Sequence, residues 1–165
     1  MDTTAPTPRV LVIGLDPHRV PGPWDPKPVA DAIEVGLARF AEHGVGVETC
    51  LFGLDGSDDV EAVVTDALRR RPWDCVTVGG GVRNQLELFE QLINLVRRHA
   101  PSAAIAFNST PADTFDAAAR WVDIPGQPAG SSQPVAPSAG PQALARPGGT
   151  ARPGNDPGHP AAHLA

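Results

Sequence analysis

The segment Cys75-Val-Thr-Val-Gly-Gly-Gly-Val-Arg-Asn84 decides how the rest of this chain is read. Cys75 to Val78 form a short run of apolar and β-branched residues, the length and composition of a buried strand. Gly79, Gly80 and Gly81 follow. From Leu86 onward, apolar residues recur at helical spacing: Leu86, Phe89, Ile93 and Val96 on one face, with Leu88, Leu92 and Leu95 beside it. So wide a stripe predicts a deeply buried helix. Strand, glycine turn and helix start together predict one βα unit. They also predict backbone N–H groups left free at a helix N-terminus, beside Arg83 and Asn84, where an anion would be held.

The same alternation recurs on both sides. Towards the N-terminus, Val10-Leu-Val-Ile-Gly-Leu15 is continuously apolar, as suits a strand covered on both faces. Asp25 and Pro26 then open a helix whose stripe is Val29, Ile33, Leu37 and Phe40, and Gly44 closes it. Val45 to Phe52 is a second strand. Asp58 with Glu61 resembles a capping box for a helix carrying Val60, Val63, Val64 and Leu68. Arg69, Arg70 and Arg71 fall in its last turn, where cations suit the helix dipole. Towards the C-terminus, Ala103 to Phe107 is a fourth strand, and Thr110, Pro111 and Asp113 start a last helix bearing Phe115, Ala118, Ala119 and Val122.

Four strand–helix alternations predict an α/β fold: a small three-layer, doubly wound sheet of four parallel strands. The expected order is 2-1-3-4, a flavodoxin-like arrangement. Residues 9–124 would form this domain, behind a flexible N-terminal stretch of residues 1–8. After Ile124 the chain turns to Pro, Gly, Ala and Ser, with no Phe, Trp or Tyr in residues 125–165. Such a segment buries too little apolar surface to offset its chain entropy, and a disordered tail is expected.

In the order 2-1-3-4 the chain reverses direction between strands 1 and 3, and the crevice at their carboxyl ends is the expected ligand position. The loop after strand 1 is long and stiffened by Pro17, Pro21 and Pro23, and it carries Asp16, His18, Arg19 and Trp24. Opposite lie Gly79, Gly80, Gly81, Arg83 and Asn84, with Asn108, Ser109 and Thr110 one strand further out. The expected function is binding of a small anionic metabolite, held by Arg83 and the glycine turn and covered by the Trp24 loop.

Two other readings follow from the same residues. A hydrolase or lyase would use His18 as general acid or base, oriented by Asp16, with Arg83 and the glycine turn stabilising negative charge. An interaction module would recruit a partner through the proline-rich tail. No dinucleotide fingerprint, Walker-type lysine loop, receiver-domain aspartate or nucleophile elbow occurs, so the sequence specifies neither a reaction nor a cofactor.

Composition narrows the partners. With 13 Lys+Arg against 19 Asp+Glu, the net charge of −6 argues against nucleic acid and against anionic lipid. Cys50 and Cys75 lie in separate apolar runs, too few and too far apart for a metal site, and are expected to be buried and reduced. No apolar run is long enough to span a membrane and no signal-like start precedes the first strand, so a cytoplasmic location is expected.

Overall fold

A computed structural model describes residues 7–126. The expected tail and N-terminal stretch lie outside these residues, apart from positions 7, 8, 125 and 126. The strands are β1 (Arg9–Leu15), β2 (Gly46–Phe52), β3 (Cys75–Val78) and β4 (Ala104–Phe107). They form one parallel sheet in the order β2-β1-β3-β4, as expected. In register, Ile13 lies between Cys50 and Val78, and Val78 pairs with Phe107, so β3 and β4 end level while β1 runs two residues further, to Leu15.

Among the described residues five helices connect and cover the strands: α1 (Lys27–Glu42), α2 (Val60–Arg69), α3 (Gly80–Arg83), α4 (Leu86–His99) and α5 (Thr114–Ala119). Successive side chains of β1 enter opposite cores, which is why its sequence is continuously apolar. Leu11 and Ile13 pack with Phe52, Val64, Leu68, Leu92 and Val96 on the face covered by α2 and α4. Val10 and Val12 pack with Phe40, Phe115 and Ala118 beneath α1 and α5.

The element ends show where side-chain chemistry departs from the expected pattern. Asp59, not Asp58, caps α2, accepting from the Ala62 N–H at 3.1 Å. Asp58 is drawn back to the Gly53 N–H at 2.9 Å. The expected third helix breaks into α3 and α4 at Asn84 and Gln85, which leaves Leu86 outside the core at 69% exposure. The last helix begins with a 3-10 turn at Pro111–Asp113, closed by Asp113 accepting from the Thr110 N–H at 3.1 Å. Trp73 is buried and donates its indole N–H to the Ala67 and Leu68 carbonyls, sealing the end of α2.

Cys50 and Cys75 are both buried free thiols, on opposite faces of the sheet. Burial pushes each thiol up to about 11, away from the thiolate that reacts or ligates. No helix among the described residues is long and apolar enough to cross a membrane.

Candidate functional site

A cavity of about 530 Å³ opens at the carboxyl ends of β1 and β3, where the sheet reverses its direction of winding. Its floor includes Val12, Ile13, Gly14 and Gly79. The polar wall is built by the loops after β3 and β4, which carry Gly80, Gly81, Arg83, Asn84, Asn108, Ser109 and Thr110. Trp24 closes part of the opposite side, its indole N–H held by the Val20 carbonyl at 3.1 Å. Gly22, at φ 142°, makes the bend that folds Trp24 back, and the Trp24 backbone N–H donates to the Gly22 carbonyl at 3.0 Å.

The glycine turn is more a packing device than an open anion cradle. The Gly79 N–H donates to Ile13 O at 2.9 Å, continuing the sheet ladder by one bond. The Gly80 N–H donates to the side-chain oxygen of Asn108 at 3.1 Å. A Cβ on Gly81 would lie 3.1 Å from a methyl of Leu15, so a glycine lets α3 sit against the end of β1.

Asn108 is buried, and both halves of its amide are used. Besides accepting from Gly80, it donates to the Thr114 hydroxyl at 2.9 Å, which in turn donates to Pro111 O at 2.7 Å. Asn108 therefore ties the turn after β3 to the turn after β4, and it shapes the polar wall with its hydrogen bonds already satisfied.

Arg83 completes that wall. Its guanidinium donates through Nη2 to the Asn108 carbonyl and lies over the Phe107 ring, 5.9 Å from the centroid. Phe107 is braced edge-on by Phe89 at 5.5 Å. Among the described residues no carboxylate pairs with Arg83, Glu87 included, whereas Arg19, Arg39, Arg70 and Arg71 each have an acidic partner. Among the described residues, Arg83 is the one cation lining the cavity.

The rest of the long loop faces elsewhere. Asp16 accepts from the His18 N–H at 3.0 Å and caps a 3-10 turn at Pro17–Arg19. His18 is exposed, and neither residue lines the cavity. Arg19 turns away to Asp58 at 2.7 Å, Asp55 at 3.6 Å and the Ser57 hydroxyl at 2.5 Å. Ser57, through its hydroxyl and then its N–H, holds the Asp55 carboxyl below the usual carboxylate range. This cluster laces the loop after β1 to the loop after β2, so the proposed acid–base pair and Arg19 sit outside the crevice.

The cavity also has walls that residue chemistry did not single out as a site. Leu15, Pro17, Val20, Val29, Ile33, Leu37 and Leu51 all line it. Their apolar character marks them for a core, and only the tertiary arrangement turns them towards a cavity. No protein-family model, no curated protein and no solved structure matches this chain.

Proposed function

We propose that this domain binds a small organic anion in the cavity at the carboxyl ends of β1 and β3. The observation that supports this reading is Arg83: a guanidinium lining the cavity, with one N–H group engaged by a backbone carbonyl and no acidic partner among the described residues. Guanidinium presents a planar fork that matches a carboxylate or phosphate edge. Its position at the winding reversal of a parallel sheet is the one this fold offers a ligand, and the cavity volume of about 530 Å³ falls within the range of small-molecule sites. Binding without turnover is the reading favoured by the residues present: the lining offers the hydroxyls of Ser109, Thr110 and Thr114, but among the described residues it contains no His, Asp or Glu to activate one of them as a base.

The test is a thermal-shift panel of small carboxylates and phosphates on the full chain and on Arg83→Gln. At about a hundred times its dissociation constant, a true ligand adds about 2.7 kcal/mol of stability to the wild type. That shift should fall sharply in the variant, measured against the variant's own unliganded melting point. Anions that leave the wild type unmoved, or that shift both proteins alike, would overturn the proposal.

A further inference from the structure

We infer that the ligand is an amphipathic monocarboxylate whose hydrocarbon body lies along α1, with its acid group at Arg83. This rests on the anion-site reading above and adds the chemistry of the rest of the molecule. The starting observation is the stripe of α1. At i, i+4 spacing, Val29, Ile33, Leu37 and Phe40 have the pattern of a helix face packed on a sheet. Only Phe40 is fully buried, locked edge-on against Phe115 at 5.3 Å. Ile33 and Leu37 are half-buried, Val29 is 37% exposed, and all three line the cavity.

The contact that sets α1 in this position is at Gly36. A Cβ there would lie 2.1 Å from the carbonyl oxygen of Pro111, so the helix backbone touches the turn after β4 directly. On the C-terminal side of this contact Leu37 lines the cavity while also packing against the core, and Phe40 is buried in that core. On its N-terminal side Val29 and Ile33 share the cavity lining with Leu15, Pro17, Val20 and Leu51. The lining is thus mostly hydrocarbon, Trp24 included, and among the described residues its one charged side chain is Arg83.

That asymmetry selects among anions. A compact, strongly hydrated ion such as inorganic phosphate would leave the apolar wall in contact with water and gain nothing from it. A dianion would also meet a single cation in a chain of net charge −6. A carboxylate carries one charge, fits the guanidinium fork, and brings a body that can replace water along α1. Each methylene so buried multiplies affinity by up to about fourfold.

Calorimetric titration of the full chain with butyrate, hexanoate, octanoate and decanoate tests this directly, with decanol and inorganic phosphate as controls. Affinity should climb with chain length, phosphate should not compete, and decanol should bind on the order of tenfold or more weakly than decanoate because it forgoes the charged hydrogen bonds. Val29→Asn, at an exposed position that leaves folding intact, and Ile33→Asn should each flatten the chain-length dependence. Equal affinity for butyrate and decanoate, or unchanged decanoate binding in both variants, would overturn the hydrocarbon body while leaving an anion site standing. Decanol matching decanoate, with Arg83→Gln binding both as the wild type does, would overturn the anion site itself. No binding of any of these probes overturns the amphipathic monocarboxylate, and the wider panel of small carboxylates and phosphates then decides the anion site by itself.

Discussion

A methyl group at position 36 would sit 2.1 Å from Pro111 O, closer than any real contact allows. Glycine normally weakens a helix interior relative to alanine, by roughly 0.5–1 kcal/mol. Here the balance reverses, because the atom in the way is backbone and cannot swing aside. Gly36→Ala should therefore destabilise the domain by about 1–3 kcal/mol, the range of core overpacking, despite alanine's better helix propensity. A chemical-denaturation midpoint at or above that of the wild type would show that α1 and the Pro111 turn separate easily. An isolated glycine within a helical pattern was the available signal for this contact, since such a residue often marks close packing. The glycines after β3 were legible as a turn, but their partners were not. That the Gly80 N–H is taken by Asn108, 28 positions later, depends on two loops meeting in space. Likewise Asp16, His18 and Arg19 stand in the right loop, yet Arg19 is captured by Asp58, whose local role looked like a helix cap.

At the scale of elements, the seam between α1 and α5 is the best-defined polar contact. Arg39 grips Asp116 with two hydrogen bonds, at 2.5 and 2.9 Å, and also lies over the Phe115 ring at 5.1 Å. His43 also stacks on that ring, at 4.2 Å between centroids, and its Nδ1 lies 2.7 Å from Arg39 O. The hydrogen bonds from Arg39 hold the Asp116 carboxyl below its ordinary range. A carboxyl depressed in the folded state contributes stability that is present above its unfolded value, about 3.9, and lost as pH falls through the folded value. Because Asp116 is 54% exposed at the side chain, that contribution is limited to about 0.2–1 kcal/mol. Asp116→Asn should lower stability by this much at neutral pH, and the gap to the wild type should close in strongly acidic solution, as pH falls through the depressed folded value. A gap that persists undiminished at that acidity would place the effect in packing, not charge. The helices themselves were visible as 3.6-residue periodicities. Their exact joints were not, since the break between α3 and α4 reflects how the turn after β3 seats against Leu15 and Asn108. Nor could periodicity separate a stripe that packs from one that lines a cavity: Val29 and Phe40 belong to the same pattern and end in different surroundings.

The molecule-scale order of the strands was legible because few right-handed arrangements accommodate four βα units, and the most apolar strand, β1, takes a central place. The same order fixes which strands stand at the margins, and this has a consequence for behaviour at high concentration. A margin strand offers unpaired backbone groups to any stray chain, and natural proteins blunt that template with shortness or with charge turned inward. β4 is only four residues long. β2 spans seven, but at Glu48 it puts a carboxylate on the side that also carries Cys50 and Phe52, where Arg71 meets it at 2.9 Å and Arg70 at 3.9 Å. A carboxylate placed so on an outer strand is the kind of inward charge that guards against edge-to-edge pairing, and that is the role expected of the pair. Replacing both partners, Glu48→Val with Arg71→Val, would turn β2 into a flat apolar edge. On gentle warming such a protein should scatter light and bind amyloid dyes well below its melting temperature, while the parent stays clear; a variant as clear as its parent would deny the pair that role. Function and solubility would then be secured at different places on one sheet, the ligand at the ends of its inner strands and the defence along its outermost one.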